Sequence, residues 1–348
     1  MNSPLYRFNH ASRAFFTVLA LIAASSVASA QLFTAVDLGT LGGTMTSPGS
    51  INDEGTVVGA IYPSSIEQAF VYANDTMTDL GTFGSSFSEA VGINNAGTIV
   101  GGYGGGAFSY SNGTITNLGT GGVALRINNA GTIVGQNSAA HAFSYSNGTA
   151  SDLGTFGGIF SIALDINNTG TIVGQSSTAG GIDPAFSYSN GAMTNLGTLG
   201  GAGSEAWGIN DTGVIVGDSY LTGNALDHAF IYRNGAMTDL GTLGGANGAA
   251  FAINNAGLIV GQADTTSGTY DAFLYNNGAM IDLNTLVDLP GITLTNGEDI
   301  NNLDQIIADG SNGHAYLLTM IPEPSTYATI LGAVVLCGVV IRRKLRMT

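Results

Sequence analysis

Two glutamates that depart from a repeated sequence are the residues best suited to chemistry. Glu89 and Glu205 each stand four residues before an Ile-Asn pair, at Ile93 and Ile209. Two carboxyl groups can work as acid and base on a glycosidic bond when they lie about 5–9.5 Å apart. Equal positions three copies apart would let them face each other across a ring of repeats. Because the sequence supplies neither an aromatic platform nor a basic partner for them, we predict that the protein is not an enzyme.

A second pair of acids shares another position. Asp218 and Asp309 directly follow the β-branched and small residues of a short apolar run, where other copies carry Gln136, Gln175 and Gln262. Such a ring of polar groups could bind a ligand or simply be solvated, and the pattern favours solvation. Glu89, Glu205, Asp218 and Asp309 are therefore the candidate ligand-binding residues, with the ligand left open.

The histidines offer no metal site. His141, His228 and His314 all precede an Ala at the start of the same strand in different copies. Equal positions in different copies spread around a ring, whereas zinc requires clustered ligands. We expect each imidazole to hydrogen-bond to backbone at a strand edge. The one cysteine, Cys337, excludes an internal disulfide.

Most aspartates recur in turns, where a side chain accepts backbone N–H bonds. Asn replaces Asp at two of these turns, so an acceptor rather than a charge is required; the positions are Asp37, Asp79, Asn117, Asp152, Asn195 and Asp239. Calcium is the one cofactor that such turns could attract, but a dedicated site needs several oxygen ligands at once. The Asn-Asp-Glu-Gly turn at 52–55 lacks the spaced acids of a full loop. We predict no metal and no cofactor.

The charge distribution excludes nucleic acid as a partner. The 348 residues carry a formal charge of −16, with 8 Lys+Arg against 24 Asp+Glu. Six of the eight basic residues lie near the two termini, which leaves Arg126 and Arg233 for everything between. Nucleic-acid affinity depends on neutralising phosphates with Lys and Arg, and this body would repel them.

Three short motifs repeat seven times between the termini, the last copy of each being degenerate. They are Asp/Asn-Leu-Gly-Thr, Ile-Asn followed by a turn and a valine-rich run, and Ala-Phe-x-Tyr. The aromatic residue of the third motif stands at Phe70, Phe108, Phe143, Phe186, Phe230, Phe273 and Tyr316. Each copy contains four short strands with tight turns, among them Asn-Gly pairs such as Asn234-Gly235. This pattern is typical of a β-propeller blade.

The point at which the series begins and ends predicts how the ring closes. Phe33–Leu38 matches a fourth strand that no first three precede, and His314–Leu318 matches a third strand that no fourth follows. We therefore predict an all-β, seven-bladed β-propeller over residues 31–320, closed by its N-terminal strand. An open solenoid, the alternative, would need capping repeats. Trp207, the only Trp, is expected to pack between blades.

Both termini are predicted to be targeting segments that do not belong to the folded body. Residues 1–30 combine Arg7 and Arg13, a short apolar run and Ala28-Ser29-Ala30, which is the order of a signal peptide cut by signal peptidase. At residues 321–348, Pro322-Glu323-Pro324 precedes the apolar Tyr327–Ile341, a predicted transmembrane helix, and then Arg342-Arg343-Lys344. The basic cluster should stay cytoplasmic and place the rest of the chain outside.

The C-terminal segment resembles the PEP-CTERM sorting signal of Gram-negative bacteria. The resemblance implies that an exosortase-type enzyme recognises Pro322-Glu323-Pro324 and releases or transfers a body that the inner membrane holds transiently. The body resembles bacterial HAF extracellular repeats, through His-Ala-Phe at His141 and His228. Together these resemblances imply an exported, non-enzymatic surface or extracellular-matrix protein. A module binding carbohydrate, such as exopolysaccharide, or another matrix ligand is the alternative, and a glycan-active enzyme is a third.

Overall fold

The structure is a computed structural model, and it describes residues 32–63 and 66–321. The expected signal peptide, Pro322-Glu323-Pro324 and the predicted transmembrane helix lie outside the described residues. No helix within the described ranges is both long and apolar enough to cross a membrane. The described residues form 28 strands in seven four-stranded antiparallel sheets, with a single 3₁₀ turn at Leu283–Thr285.

Each sheet is one blade, and strands are numbered in chain order. The first strands of blades 1 to 7 are β2 (Thr46–Ile51), β6 (Ser88–Ile93), β10 (Val123–Ile127), β14 (Gly157–Ile166), β18 (Gly200–Ile209), β22 (Gly244–Ile253) and β26 (Leu294–Ile300). The second strands are β3 (Val57–Ile61), β7 (Ile99–Tyr103), β11 (Ile133–Gln136), β15 (Ile172–Thr178), β19 (Ile215–Leu221), β23 (Ile259–Thr265) and β27 (Ile306–Gly310).

The two outer positions of the blades follow in the same order. The third strands are β4 (Gln68–Ala73), β8 (Gly106–Ser111), β12 (Ala142–Ser146), β16 (Ala185–Ser189), β20 (Asp227–Arg233), β24 (Tyr270–Asn276) and β28 (Ala315–Met320). The fourth strands are β5 (Thr76–Gly81), β9 (Thr114–Asn117), β13 (Thr149–Gly154), β17 (Ala192–Gly197), β21 (Ala236–Gly241), β25 (Ala279–Asp282) and, in blade 7, β1 (Phe33–Asp37).

The blades form a closed ring around a central channel. Every first strand contacts the first strands of both neighbouring blades, including β2 with β26. The seven-bladed propeller expected from the repeats is thus confirmed. We call the end of the channel at the first-to-second strand turns the turn face, and the opposite end the loop face.

The N-terminal strand completes the last blade, as predicted. β1 pairs antiparallel with β28 from Phe33 opposite Met320 to Asp37 opposite Tyr316. Phe33 is fully buried in the core between blades 6 and 7, and the Leu38 N–H donates to the Ala315 carbonyl at 3.0 Å. The ring is therefore held at its seam by strand pairing and by burial.

The repeated aromatic residue of each copy forms the interblade core. Phe230 of blade 5 is fully buried and packs with Val173 and Ala185 of blade 4. The second strand carries a Gly where it passes close to the aromatic side chain. In blade 5 this residue is Gly217, and a Cβ there would overlap the Glu205 carbonyl oxygen and lie 2.9 Å from the Phe230 side chain. Repetition of these residues follows from identical packing between every pair of blades.

Every first strand carries a β-bulge two residues before its final Ile. A bulge leaves one residue unpaired and re-aims side chains. Here the bulged residues line the central channel, which the repeat pattern did not predict. They are Gly49, Val91, Leu125, Leu164, Trp207, Phe251 and Glu298.

Candidate functional site: the central channel

A closed ring of asparagine amides encircles the channel at its turn face. The Asn of each Ile-Asn motif is buried, and its Nδ2 donates to the backbone carbonyl of the next one at 2.9–3.2 Å; the members are Asn52, Asn94, Asn128, Asn167, Asn210, Asn254 and Asn301. The same side chain accepts N–H bonds of its own turn, as Asn94 does from Ala96 and Thr98. One residue type thus closes its own turn and joins two blades.

A second ring lies one residue further along. Each side-chain oxygen accepts the backbone N–H of the preceding blade's equivalent at 2.8–3.0 Å, through Asp53, Asn95, Asn129, Asn168, Asp211, Asn255 and Asn302. Burial alone would raise the pKa of Asp211, but the bonds from the Asn168 backbone and from the Asn255 and Asn168 amides outweigh burial and hold that pKa below its usual value. Hence the acids of the Ile-Asn turns are structural.

Above these rings lies a charged layer that sequence reasoning missed. Arg126, Asp165 and Asp299 occupy the position just before the final Ile of their strands, and all three line a cavity of about 160 Å³. The Arg126 Nη1 donates to the carbonyls of Val91 and Leu125 at 3.0 and 3.1 Å. The residue types were visible, but their convergence depends on the ring.

Both aspartates of this layer are bonded to the next blade. Asp165 accepts the N–H of Ile209 at 2.9 Å, and Asp299 accepts that of Ile51 at 3.1 Å and the Ser50 hydroxyl at 2.8 Å. Burial raises the pKa of Asp165 to about 6, opposed by the Arg126 charge and by the N–H donors. Burial also raises the pKa of Asp299 against the same Arg126 charge.

A second cavity, of about 330 Å³, lies towards the loop face. Trp207, Phe251 and Glu298 of the bulged positions line it, together with Glu89 and Arg126. The Trp207 and Phe251 rings meet edge to face, with centroids 5.8 Å apart and an interplanar angle of 86°. Trp207 therefore packs between blades, as expected, but it does so on the channel wall, where it reaches the next blade's Phe251.

Glu298 and Asp309 are neighbouring carboxyl groups, and the charge of Asp309 acts on Glu298. Burial and then the neighbouring Asp309 raise the pKa of Glu298 to about 8, and burial raises the pKa of Asp309 as well. The Asn296 Nδ2 donates to Asp309 at 3.3 Å. Asp309 thus acts on the channel through Glu298, whose neutral form its charge favours.

Glu89 and Glu205, the two glutamates considered as an acid and base pair, have different neighbours. Glu89 lines the larger cavity, and burial followed by the charge of Glu67 raises its pKa. Burial and the charge of Asp218 raise the pKa of Glu205 to about 7. Glu205 is not among the residues lining either channel cavity.

The Asp218 position is engaged in contacts within and between blades. Asp218 lies opposite Glu205 in the sheet and accepts the Trp207 Nε1–H at 2.6 Å, while burial raises its pKa to about 6. Its glutamine equivalents reach the next blade: the Nε2 of Gln136 donates to the Ser161 carbonyl at 3.1 Å, and that of Gln175 to the Ser204 carbonyl at 3.3 Å. Two of the five residues at this position thus bond to the next blade, whereas Asp218 and Asp309 accept bonds within their own blades.

The histidines bond to side chains rather than to backbone, contrary to expectation. The Nδ1 atoms of His141, His228 and His314 lie 2.9 Å from Asp152, Asp239 and Asp37, each on the neighbouring fourth strand. The turn aspartate of the Leu-Gly-Thr motif therefore serves two bonds, because Asp152 also accepts the Gly154 N–H at 2.7 Å. His314 thereby ties β28 to the closing strand.

The acceptor role of the Leu-Gly-Thr turn is confirmed. Asp and Asn both accept the backbone N–H two residues further on, because Asn117 accepts the Gly119 N–H at 2.7 Å and Asp239 accepts the Gly241 N–H at 2.7 Å. Across residues 32–63 and 66–321, no three His, Cys, Asp or Glu side chains gather as a metal ion would require.

Comparison with known proteins agrees with the class that the fold defines, a seven-bladed β-propeller. No protein-family model and no curated protein matches the chain. The β-propeller domain of the Trilobed protease from Pyrococcus furiosus is similar, with a TM-score of 0.51, 8% identity, and coverage of 81% of this chain and 95% of that one. At this identity the likeness is one of fold alone.

Two further solved structures are similar at lower scores. Virginiamycin B lyase from Staphylococcus aureus, solved in a catalytically inactive form with quinupristin, has a TM-score of 0.49 and 12% identity, covering 83% of this chain and 100% of that one. TolB from Acinetobacter baumannii has a TM-score of 0.40 and 13% identity, covering 77% of this chain, and the match spans 64% of the TolB chain.

Proposed function

We propose that the protein is an exported, non-enzymatic scaffold of the cell surface or extracellular matrix. In this proposal residues 1–30 direct export, the C-terminal segment holds the body at the inner membrane, and an exosortase-type enzyme processes it at Pro322-Glu323-Pro324. The resemblances of the two termini and of the repeats support it. No metal, cofactor or nucleic acid takes part.

The observation that carries the proposal is the use made of the repeated polar groups. The amides of the Ile-Asn turns are bonded around the ring, as Asn301 is to Asn52 at 2.9 Å, so the seam between blades 7 and 1 is closed like every other. Buried polar groups that are fully paired stabilise a fold without offering reactive atoms. A ring closed in this way suits a protein that persists outside the cell without disulfides.

The sorting step is tested by replacing Pro322, Glu323 and Pro324 with Ala in the producing cell. We expect unprocessed protein that stays in the membrane fraction and has a higher mass. Pro290→Ala, an exposed proline of the body, is the matched control and should be processed normally. Unchanged mass and fractionation of the triple variant would contradict the proposal.

Ligand binding at the loop face is the second candidate, and the exposed apolar side chains favour it. Nine large apolar side chains that lie outside the repeat pattern are exposed in or beside the connections of this face; they are Leu41, Met45, Ile66, Phe87, Ile159, Ile182, Tyr220, Leu226 and Tyr270. Exposed apolar surface gathered on one side of a protein marks binding sites. Aromatic rings among them suit a carbohydrate.

A glycan array with the purified protein tests this second candidate. We expect binding to exopolysaccharide fragments that is lost in Tyr220→Ala and Tyr270→Ala, whose rings are 45% and 42% exposed. Tyr145→Ala, on the third strand of blade 3, is the control and should bind normally. If the protein binds no glycan on the array, carbohydrate binding at the loop face is contradicted and only the scaffold role remains.

A further inference from the structure

The bulged positions of the first strands are the least uniform part of the repeat. Seven copies contain six residue types there, from Gly49 to Glu298, whereas the interblade aromatic is Phe in six of the seven copies. Packing between blades demands the same residue everywhere. The fold makes no such demand on the bulged side chains, because they face a cavity.

The larger channel cavity has walls of unusual composition. Pro48, Val91, Leu125 and Leu164 supply apolar surface, and Trp207 and Phe251 supply two rings at 86° to each other. The volume of about 330 Å³ is many times the space that a single water molecule requires. A small organic molecule fits such a space.

The charges around the cavity leave a net negative site. Among the described residues, Arg126 is the one cation on its wall, and Asp165 and Asp299 of the layer beneath act on the same guanidinium. Glu89 and Glu298 then add two carboxyl groups beyond those that Arg126 balances. Four carboxyl groups and one guanidinium thus line the two adjoining channel cavities, which also share the Trp207 side chain.

We propose that this cavity binds a small organic ammonium ion, held against the rings of Trp207 and Phe251 and facing Glu89 and Glu298. A cation over an aromatic face is attracted by the ring quadrupole, most strongly by Trp, and more so away from water. The carboxyl groups supply the opposite charge. This site goes beyond the scaffold role and does not depend on it.

Trp207 is the only Trp, so its fluorescence reports on the site directly. Choline is the probe, and 3,3-dimethylbutanol, of the same shape without the charge, is its neutral match. We expect saturable quenching by choline and at least tenfold weaker binding of the alcohol. Glu298→Gln and Phe251→Leu should each weaken choline at least fivefold, while Glu54→Gln on the exposed turn face should leave it unchanged.

The pH dependence distinguishes the site from a general attraction to an acidic protein. Glu298 faces Asp309, Asn296 and Arg126, and the proton that its raised pKa retains competes with the bound cation. Choline affinity should therefore rise between pH 6 and pH 9, and this rise should be smaller in Glu298→Gln, where Glu89 is the remaining carboxyl group that faces the ligand. Equal binding of choline and the alcohol, or unchanged affinity in a folded Glu298→Gln protein, overturns the proposal. Because the assay uses purified protein, its result is independent of cellular sorting.

Discussion

The interblade core and the channel wall differ in how strongly the fold dictates their residues. Phe108, in the core between blades 1 and 2, is fully buried and has an aromatic equivalent in every copy. Phe251, on the channel wall, is partly exposed, and its equivalents range from Gly49 to Trp207. Repetition therefore marks what holds the ring together, and variation marks the surface that is free to acquire a function.

Of the changes proposed, removal of the closing strand β1 should lower the stability of the protein most. Deletion of residues 31–38 leaves β28 as an open edge and removes the buried Phe33. Each unpaired buried backbone group costs about 1–3 kcal/mol, and exposed edges aggregate. We expect precipitation, or a melting temperature lower by about 10 °C or more. Deletion of residues 322–348 is the control; equal melting of the two truncations would contradict a closed ring.

Truncating one phenylalanine from each region tests the comparison directly. Phe108→Ala should lower the free energy of unfolding by about 3–5 kcal/mol, since it opens a cavity in a dense core. Phe251→Ala should cost about 1 kcal/mol, because it removes chiefly the edge-to-face contact with Trp207. Denaturant unfolding measures both. Similar costs would show that the channel wall is as constrained as the core.

Breaking the asparagine ring should cost less than the phenylalanine truncation in the core. Asn94→Ala removes the acceptor of the Ala96 and Thr98 N–H groups and the donor to the Asn128 carbonyl. We expect a loss of about 2–3 kcal/mol. Asn129→Ala, in the exposed second ring, is the matched control and should cost under about 1 kcal/mol. Thermal unfolding of both variants decides whether the buried ring carries the stability.

Stability should also depend on pH through Glu205, a half-buried carboxyl group on the first strand of blade 5. The pKa of Glu205 lies at about 7 in the folded protein and at 4.5 ordinarily, because burial disfavours its charged form. The unfolded chain therefore releases this proton first, and stability falls as pH rises from about 4.5 to 7. Glu205→Gln should reduce that fall by about 1–3 kcal/mol. A melting profile from pH 4.5 to 9 that is identical in the variant would contradict the raised pKa.

The smallest expected effect belongs to the exposed histidine–aspartate pairs. His141 and Asp152 lie 2.9 Å apart, but their side chains are 31% and 49% exposed. Such pairs contribute about 0–1 kcal/mol. His141→Ala should therefore shift the melting temperature by no more than about 3 °C. A larger shift would show that these pairs contribute to stability as strongly as the interblade core does.

Much of the fold could be predicted because each copy contains the residues that determine its own strands and turns. Asn234-Gly235 marks a hairpin, and Asn234 indeed adopts a positive φ of 53°. The incomplete strand sets at the two ends predicted that Phe33–Leu38 would complete the blade of His314–Leu318, and β1 indeed pairs with β28. The candidate site could be predicted only in part: Glu89 was singled out, whereas Arg126, Asp165 and Glu298 were not. Their signal, a charged residue where other copies are small or apolar, was present but indistinguishable from surface variation.

The sequence by itself determined the blade, its turns, the number of copies and the strand that closes the ring, because these depend on contacts repeated in every copy. Only the tertiary structure decided which side chains meet inside the channel. Trp207 and Phe251 stand 44 residues apart in sequence, and Glu298 joins them only because seven bulges turn towards one axis. Position around a ring depends on the sum of all blade rotations, which no single repeat encodes.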